Sequence, residues 1–277
     1  MVDVLKYAPG LRRGAGGVWF SGSVEQVSFP SNGHSGCYEL EDASFWFRHR
    51  DAILLAALRA FPPTGPLFDV GGGNGYVTRT LRDAGYDAVL VEPGPEGVHN
   101  ARARGLPDVI WSGLETAGFA PGALPAIGLF DVLEHVRKED AFLETVRRVL
   151  HPEGRLYVTA PAHAWLWSDA DIGAQHHRRY TLASLCSTLD RAGLRVEYSS
   201  YFFSFLIVPI LTLRTLPHLL RRGPARRGLQ ERALREHQPA GKLIRTPLQA
   251  LANLESAAIR RRRQIPMGAS CLAVAHA

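Results

Sequence analysis

The sequence predicts an α/β protein with a mostly parallel sheet that is covered by helices on both faces. From about residue 66 to residue 203, apolar runs of strand length alternate with amphipathic runs of helix length. Parallel strands joined by crossover helices produce this alternation. The first apolar run, PLFDV, leads directly into a turn with four glycines among residues 71–75. The 277 residues, 46% of them hydrophobic, are enough for a sizeable core.

An arm and a helix precede the alternating region. Residues 1–38 are rich in glycine and aromatic residues, and GGVWFSGSVEQVSF alternates like a short hairpin strand. We interpret this segment as an N-terminal arm or lid. In residues 39–61, apolar side chains recur at helical spacing, and Pro62 ends the predicted helix.

The alternating region supplies most of seven predicted strands. In order they are PLFDV, DAVLVEP, DVIW, AIGLFDV, RLYVTAP and LRVEYSSYFF, and the closing MGASCLAVAHA supplies the last. The predicted helices are GYVTRTLRDAG, GPEGVHNARARG, KEDAFLETVRRVLHPEG and TLASLCSTLDRAG. We therefore expect a core at residues 39–205, followed by an apolar and basic C-terminal region at 206–277.

The glycine-rich turn suits a ligand that is held against bare backbone. Glycine tolerates positive φ and lets a ligand approach the main chain, and the following helix adds free N–H groups. Asp69, just before the turn, can hold a ligand ammonium or a structural amide. Glu92 ends the next strand, where an acid can accept both hydroxyls of a ribose. The alternatives are a purely structural turn and a strand-end acid that faces water.

Four motifs in this order resemble those of the class I S-adenosylmethionine-dependent methyltransferases. DVGGGNGYVTRTL is similar to their first motif, LVEPG to the second and GLFDVLEHV to the fourth, and VLHPEGRLYVTAP is similar to the segment leading into the fifth strand. The resemblance covers about residues 40–200. It implies a Rossmann-like fold, S-adenosylmethionine as the cofactor, and transfer of its methyl group.

The same resemblance implies which residues hold the cofactor. Gly71, Gly73 and Gly75 would contact its methionine part, and Glu92 would bind its ribose. Residues 113–115 would flank the adenine. Many members carry an Asp in that loop, whereas this sequence offers Glu115. We also assign Asp69 and Asp131 to the cofactor site.

A second set of polar residues follows the fourth strand. In FDVLEHV, Asp131, Glu134 and His135 fall on one face if the segment is helical, and that face points into the cleft. The later segment AQHHRRYT adds His176. This pattern resembles the E-x-x-E-H motif with a later histidine that binds a metal in ubiquinone-pathway O-methyltransferases and small-RNA 2′-O-methyltransferases. Asp131 stands in place of the first Glu.

Three interpretations of these four residues stay open. The first is a site for a divalent metal such as Mg²⁺, formed by Asp131, Glu134, His135 and His176. The second is general acid–base catalysis by His135 or His176, with Asp131 as a further catalytic residue, because a hydroxyl is a poor nucleophile until its proton is removed. The third is a hydrogen-bonded structural cluster. The likeness to O-methyltransferases makes oxygen the preferred acceptor atom.

Two arginines beside His176 are candidate acceptor contacts. HHRRYT resembles the H-x-R-R-Y-T segment of bacterial methyltransferases that are encoded with polysaccharide and lipid-linked sugar genes. Arg178 and Arg179 can bind an anionic acceptor, since guanidinium pairs bidentately with phosphate or carboxylate. Salt bridges to neighbouring acids are the alternative. Tyr180 and Trp46 are further candidate substrate contacts, with core packing as the alternative for Trp46.

The C-terminal region is strongly basic. Residues 201–277 hold 13 Lys and Arg against three Asp and Glu, a net charge of +10, and the rest of the chain carries −4. YFFSFLIVPILTL is too short to span a bilayer, but with the basic residues after it this segment can form an interfacial helix on anionic lipid. A lid over an acceptor pocket and a homodimer surface are alternatives. Aromatic residues are few among the arginines, which disfavours nucleic acid as a partner.

These observations together predict a cytoplasmic enzyme, with peripheral contact at the inner face of the membrane as an alternative. The start of the chain lacks the pattern of a secretory signal, and the three cysteines show no CxxC spacing. We expect methyl transfer from S-adenosylmethionine to a hydroxyl of a small-molecule or lipid-linked acceptor. A nucleic-acid methyltransferase and a cofactor-binding module without turnover are the alternatives.

Overall fold

A computed structural model describes residues 1–22, 38, 41–42, 44–220 and 242–277. Within these residues nine strands form one sheet. They are β1 (Arg12–Arg13), β2 (Trp19–Phe20), β3 (Leu67–Val70), β4 (Ala88–Glu92), β5 (Val109–Trp111), β6 (Leu124–Phe130), β7 (Leu150–Pro161), β8 (Arg195–Phe202) and β9 (Ser270–His276). Their order in the sheet is β1-β2-β5-β4-β3-β6-β7-β9-β8.

The sheet contains two strands more than the seven that the sequence predicts. The predicted strands correspond to β3–β9, and β1 and β2 extend the sheet beyond β5. Trp19 and Phe20 pair in parallel with Ile110 and Trp111. β2 lies within GGVWFSGSVEQVSF, the segment predicted to form a short hairpin strand, but its place in the main sheet was not predicted. β1 has only two residues, too few to show an alternating pattern, and was not predicted. The predicted arm or lid also includes residues 23–37, which lie outside the described residues.

Helices cover both faces of the sheet. They are α1 (Phe45–Ala60), α2 (Tyr76–Asp83), α3 (Pro95–Ala103), α4 (Glu139–Val149), α5 (Asp169–Gly173), α6 (Leu182–Arg191), α7 (Ile207–Ile210), α8 (Leu216–Leu220) and α9 (Lys242–Arg260), with a π-helical stretch at Leu211–Thr215. Residues of α1, α2 and α9 pack with Leu67, while residues of α4 and α6 belong to the cluster that includes Phe68. Successive side chains of a strand point to opposite faces, so these neighbours belong to opposite cores.

The last strand of the chain lies inside the sheet. β9 is antiparallel to both β7 and β8, with Val274 opposite Tyr157 and Tyr198. The region 206–277 therefore completes the sheet of the core. The basic helical stretch expected in this region falls in part on residues 221–241, outside the described part of the chain.

A buried carboxylate connects α9 to the core. Glu255 in α9 accepts hydrogen bonds from the backbone N–H groups of Phe203 (2.9 Å) and Ser204 (2.7 Å), and its Oε2 lies 2.7 Å from Nε2 of His49 in α1. Burial alone would raise the pKa of Glu255, but the bonds from His49 and Ser204 outweigh it and lower the pKa. These contacts fix α1, which also carries Arg50.

Candidate active site

A glycine loop joins β3 to α2 at the carboxyl edge of the sheet. Gly71, Gly73 and Gly75 have φ angles of 71°, 54° and 72°, in the left-handed region that other residues disfavour. A Cβ on Gly75 would lie 2.5 Å from Cδ1 of Leu106, so this position also lacks room for a side chain. The loop presents bare backbone at the edge where sheets of this kind bind ligands.

Asp69 supports this loop from inside the protein. Its carboxylate is fully buried, and Thr78 in α2 donates a hydroxyl hydrogen bond of 2.6 Å to Oδ2. A Cβ on Gly72 would come within 2.5 Å of that oxygen. Burial raises the pKa of Asp69 to about 6, against the opposing effect of the Thr78 hydrogen bond. Oδ1 is also buried and has no hydrogen-bond partner among the described residues.

Glu92 at the end of β4 also holds the loop. Its Oε2 accepts a 2.9 Å hydrogen bond from the N–H of Gly73, and Oε1 accepts one of 2.6 Å from Gly94. The residue is only 3% exposed. Burial raises the pKa of Glu92 to about 7, although both backbone hydrogen bonds favour the charged form. The carboxylate thus fixes the main chain of two loops, a role that the sequence did not reveal.

The loop after β5 places Glu115 in solvent and buries its neighbour Leu114. Trp111, at the end of β5, is 44% exposed, and its indole Nε1 donates a 3.1 Å hydrogen bond to the carbonyl of Pro93. This indole is therefore an exposed aromatic surface at the same edge as Glu92. Trp111 was not among the residues predicted for the site, although a tryptophan at the end of a strand, at the same edge as the glycine loop, is a usable signal.

The segment after β6 does not form the helix face that the motif suggested. Only Leu133–His135 forms a 3-10 turn, and Asp131 precedes it with φ of 59°. Asp131 is therefore separate from Glu134 and His135. Its Oδ2 lies 3.1 Å from Nη1 of Arg50, and its Oδ1 accepts a 3.1 Å hydrogen bond from the hydroxyl of Thr159. Asp131 is thus held by Arg50 and Thr159.

Glu134, His135 and His176 meet at this edge of the sheet. One ligand-type atom of each lies within 4.8 Å of the others, and the two imidazole rings are 4.8 Å apart between centroids. Burial and the Asp131 carboxylate raise the pKa of Glu134 well above its ordinary value. Burial and the neighbouring His176 and His177 lower the pKa of His135 to about 3, so its imidazole is neutral at pH 7. Three of the four predicted metal ligands are thus together.

The carboxylate of Asp171 orients His176. Asp171 in α5 is 1% exposed, and its Oδ1 lies 2.9 Å from Nδ1 of His176. Arg179 binds the same carboxylate through two nitrogens, at 2.7 Å and 2.9 Å. Burial alone would raise the pKa of Asp171, but the hydrogen bonds from His176 and Arg179 lower it to about 2. The bond to Nδ1 leaves Nε2 of His176 for contact with a ligand or substrate.

The predicted acceptor contacts Arg178, Arg179 and Tyr180 bind other protein groups. Nη1 of Arg178 lies 2.6 Å from Oε2 of Glu139, and Tyr180 donates a 2.5 Å hydrogen bond to the same oxygen. Arg179 is paired with Asp171 as described above. The alternative of salt bridges to neighbouring acids therefore describes both arginines. Tyr180 is buried, so its hydroxyl serves this network.

Trp46 belongs to an aromatic cluster on α1. Its ring stacks on Phe203 with centroids 5.3 Å apart, and the guanidinium carbon of Arg50 lies 5.1 Å from the Trp46 ring. This is the core-packing alternative for Trp46. Arg50 itself is buried between this ring and Asp131. Arg50 was not among the predicted site residues, although an arginine on the apolar side of a predicted helix is unusual.

Comparison with known proteins identifies the family. Residues 44–199 match the family model described as a methyltransferase domain. The chain belongs to the class I S-adenosylmethionine-dependent methyltransferases. A relative from Mycolicibacterium smegmatis, described as a probable S-adenosylmethionine-dependent methyltransferase, is 24% identical over 174 residues, which cover 61% of this methyltransferase and 67% of that relative.

Solved structures share the fold of this methyltransferase. A Haloferax volcanii protein in complex with the Trm112 methyltransferase activator has a TM-score of 0.55 and 19% identity, over 89% of this chain and 93% of that one. Phosphoethanolamine N-methyltransferase 2 of Haemonchus contortus, bound to S-adenosyl-L-methionine, has a TM-score of 0.55 and 15% identity, over 91% of this chain and 58% of that one. A Thermotoga maritima S-adenosylmethionine-dependent methyltransferase has a TM-score of 0.53 and 15% identity, over 90% and 99%. At these identities the likeness shows the fold and leaves the acceptor atom open.

Proposed function

We propose that this methyltransferase moves the methyl group of S-adenosylmethionine to a hydroxyl oxygen of a small or lipid-linked acceptor. The observation that carries the proposal is the meeting of two sites at one sheet edge. The glycine loop follows β3, and Glu134 and His135 follow β6, the strand that pairs with β3 in parallel. The carboxyl ends of adjacent parallel strands lie side by side, so a cofactor on the loop would face the cluster.

The cofactor would lie along the loop from Gly71 to Gly75. Its ammonium would lie at the Asp69 end of the loop, and its adenine would lie near Trp111 and the loop that carries Glu115. Glu92 holds the N–H of Gly73, and each of its oxygens has a second lone pair for a ribose hydroxyl. Asp131, held in place by Arg50, would lie at the end of the site nearest the transferred methyl group.

Methyl transfer to a hydroxyl requires alignment and removal of one proton. A lone pair of the acceptor oxygen forms the new O–C bond while the S–C bond breaks, and the sulfonium becomes a neutral thioether. No protein nucleophile is needed. The hydroxyl proton goes to Nε2 of His176, whose Nδ1 is held by Asp171 as in other oriented histidine bases. His135, with a pKa of about 3, is a weaker base at neutral pH.

A divalent cation fits Glu134, His135 and His176. Neither carboxylate oxygen of Glu134 has a hydrogen-bond partner from another described residue, and the side chain is buried. A buried carboxylate without partners is costly unless a proton or a cation compensates it. Two imidazoles and one carboxylate suit Zn²⁺ and similar ions better than Mg²⁺, which prefers oxygen ligands. Such an ion would make a bound hydroxyl more acidic. Because Nε2 of His176 would then bind the ion, this arrangement is an alternative to His176 as the proton acceptor.

Replacement of Gly73 tests the cofactor site. Gly73→Val should abolish binding of S-adenosylmethionine, because valine strongly disfavours φ of 54° and the loop would have to change its conformation. Gly118→Val is the matched control, since Gly118 has φ of 71° and open space around a new Cβ. Calorimetric titration of both variants measures the effect. Equal cofactor affinity in the two variants would refute the assignment.

Transfer itself needs a separate measurement. We expect labelled methyl from S-adenosylmethionine to appear on an acceptor of a bacterial metabolite and lipid pool, and loss of that label in His176→Ala. A protein that binds the cofactor but labels nothing in that pool would instead fit the alternative of a binding module without turnover. Label on a nitrogen or carbon atom would contradict the preference for oxygen.

The apolar helices after β8 support peripheral contact with an anionic membrane. Ile207, Ile210 and Leu211 pack against the core. Leu213, Leu216 and Leu220 are exposed and share a face at helical spacing. A helix that is apolar on both sides needs a second partner, and the +10 charge of residues 201–277 favours anionic lipid. Among the described residues, no helix has the length and hydropathy needed to cross a bilayer.

Vesicle sedimentation tests the membrane contact. The double variant Leu216→Ser, Leu220→Ser should bind vesicles containing phosphatidylglycerol at least about tenfold more weakly. Burial of one leucine side chain contributes about 1.5–3 kcal/mol of free energy. Leu254→Ser is the control, because Leu254 is exposed on α9. Vesicle binding that is unchanged in the double variant would exclude this surface. The homodimer alternative stays a prediction.

A further inference from the structure

A surface pocket lies beside the catalytic cluster. It has a volume of about 370 Å³ and is lined by Arg137, Gln175, His176 and His177. This volume is within the range of small-molecule sites. His176 belongs both to the pocket wall and to the cluster with Glu134 and His135. A ligand in the pocket would therefore lie next to the proposed proton acceptor.

Two hydrogen bonds to backbone carbonyls connect the two segments that line the pocket. The N–H of His177 donates to the carbonyl of Glu134 at 2.8 Å, and Nη2 of Arg178 donates to the carbonyl of Arg137 at 2.9 Å. Gln175 has φ of 59°, an uncommon conformation for this residue type, where the chain leaves α5. The pocket is therefore built between two segments that are fixed to each other.

The lining offers hydrogen-bond donors and positive charge. None of the four lining residues is acidic. Arg178 and Arg179, the cations that the sequence favoured, are paired with Glu139 and Asp171. Arg137 is exposed, and its guanidinium makes no ion pair or hydrogen bond with any residue in the described part of the chain. Arg137 is thus the cation in this pocket that remains available for a ligand.

We propose that this pocket binds a phosphate or diphosphate group of the acceptor, with Arg137 as its principal contact. The inference rests on the proposed methyl transfer and names the class of acceptor for that same site. Donors come from both walls, Arg137 on one side and Gln175 and His177 on the other, which suits a tetrahedral oxyanion with oxygens in several directions. An acceptor held in this way places a neighbouring hydroxyl against His176.

Substitutions of the neighbouring residues Arg137 and Lys138 test the proposal. Inorganic pyrophosphate is titrated calorimetrically into the full chain at low ionic strength and without divalent cations, which pyrophosphate would chelate. Arg137→Ala should weaken pyrophosphate binding at least about tenfold, since hydrogen bonds to charged groups contribute about 1.5–3 kcal/mol. Lys138→Ala, the matched control, removes an exposed cation that does not line the pocket and should change the affinity by less than about twofold. Arg137→Lys should restore part of the loss.

Each outcome bears on the proposal. Wild-type protein that does not bind millimolar pyrophosphate, or that binds citrate more tightly, overturns it. Equal losses in Arg137→Ala and Lys138→Ala also overturn it, because they indicate general charge attraction. A titration of S-adenosylmethionine in the same variants should show unchanged affinity. If wild-type protein failed to bind the cofactor while pyrophosphate bound through Arg137, the proposed methyl transfer would fail and the anion pocket would stand.

Discussion

At the scale of single residues, Glu134 is a buried carboxyl group that receives no hydrogen bond from another described residue. Its carboxylate is 1% exposed, and its neighbours His135 and His176 can supply lone pairs when neutral. Asp131 does not join them, because Arg50 holds its carboxylate. A bound divalent cation would satisfy all three groups at once, whereas a proton would satisfy only Glu134.

Glu134→Gln separates these two possibilities. We expect Mn²⁺ or Zn²⁺ to raise the Tm of the wild-type protein and to leave that of Glu134→Gln unchanged, because the amide removes a charged ligand. Thermal denaturation with and without each ion measures the effect. Glu144→Gln, on the exposed side of α4, is the control and should respond like wild type. A chelator should stop methyl transfer without changing cofactor affinity, and an equal ion response in Glu134→Gln would exclude the metal.

At the scale of elements, the short helix α5 and the segment after it are fixed by one carboxylate. Asp171 binds Arg179 and His176 and also accepts a 2.9 Å hydrogen bond from the N–H of Ser168. The Arg179–Asp171 pair has side-chain exposures of 8% and 0%. Loss of one partner of such a buried pair leaves the other charge without compensation. This arrangement positions His176 through a helix too short to be stable alone.

We expect Asp171→Asn to lower the free energy of unfolding by about 3–5 kcal/mol. The matched control is Asp140→Asn, whose partner Arg191 is 3.5 Å away in a pair with exposures of 71% and 55%. Exposed pairs contribute at most about 1 kcal/mol. Chemical denaturation measures both values. A loss for Asp171→Asn no larger than that of Asp140→Asn would show that the network does not stabilise the segment.

At the scale of the whole molecule, buried acids around the glycine loop set the pH dependence of stability. Burial raises the pKa of Asp51 and Asp69 to about 6 and that of Glu92 to about 7. In the unfolded chain these groups return to ordinary values near 4. Between these limits the native state binds more protons than the unfolded state, so stability falls as pH rises. Two groups act in the opposite direction: Asp171, with a pKa of about 2, below about pH 4, and His135, with a pKa of about 3, below about pH 6.5. The three raised acids outweigh the single histidine between pH 5 and pH 8.

The cofactor-free protein should therefore be more stable at pH 5 than at pH 8. Each group changes the free energy of unfolding by at most about 1.4 kcal/mol per pH unit. Urea denaturation across this range measures the slope. Asp69→Asn should flatten it, whereas Asp83→Asn, an exposed control on α2, should not. A free energy of unfolding that rises from pH 5 to pH 8 in the wild-type protein would contradict the proposed effect of burial.

The sequence by itself determined the class of fold and the position of the glycine loop at the carboxyl edge of the sheet. Strand and helix periods are local properties, so β3–β9 and the helices α2, α3, α4 and α6 could be predicted from residues close in the chain. The turn at Gly71–Gly75 could be identified because positive φ angles require glycine locally. The addition of β1 and β2 to the sheet could not, since β2 pairs with β5 across about 90 positions and β1 pairs only with β2.

The tertiary structure decided the partner of each charged side chain. HHRRYT shows two arginines that could bind an anion, but each is paired with an acid outside this segment. Arg178 pairs with Glu139 in α4, and Arg179 pairs with Asp171 in α5. The same holds for Asp131, whose partner Arg50 comes from α1, 81 positions away. Charge pairing depends on distances of a few ångströms across the fold. For this reason the sequence could name the candidate residues of the site, while only the folded chain showed that Arg137 remains available.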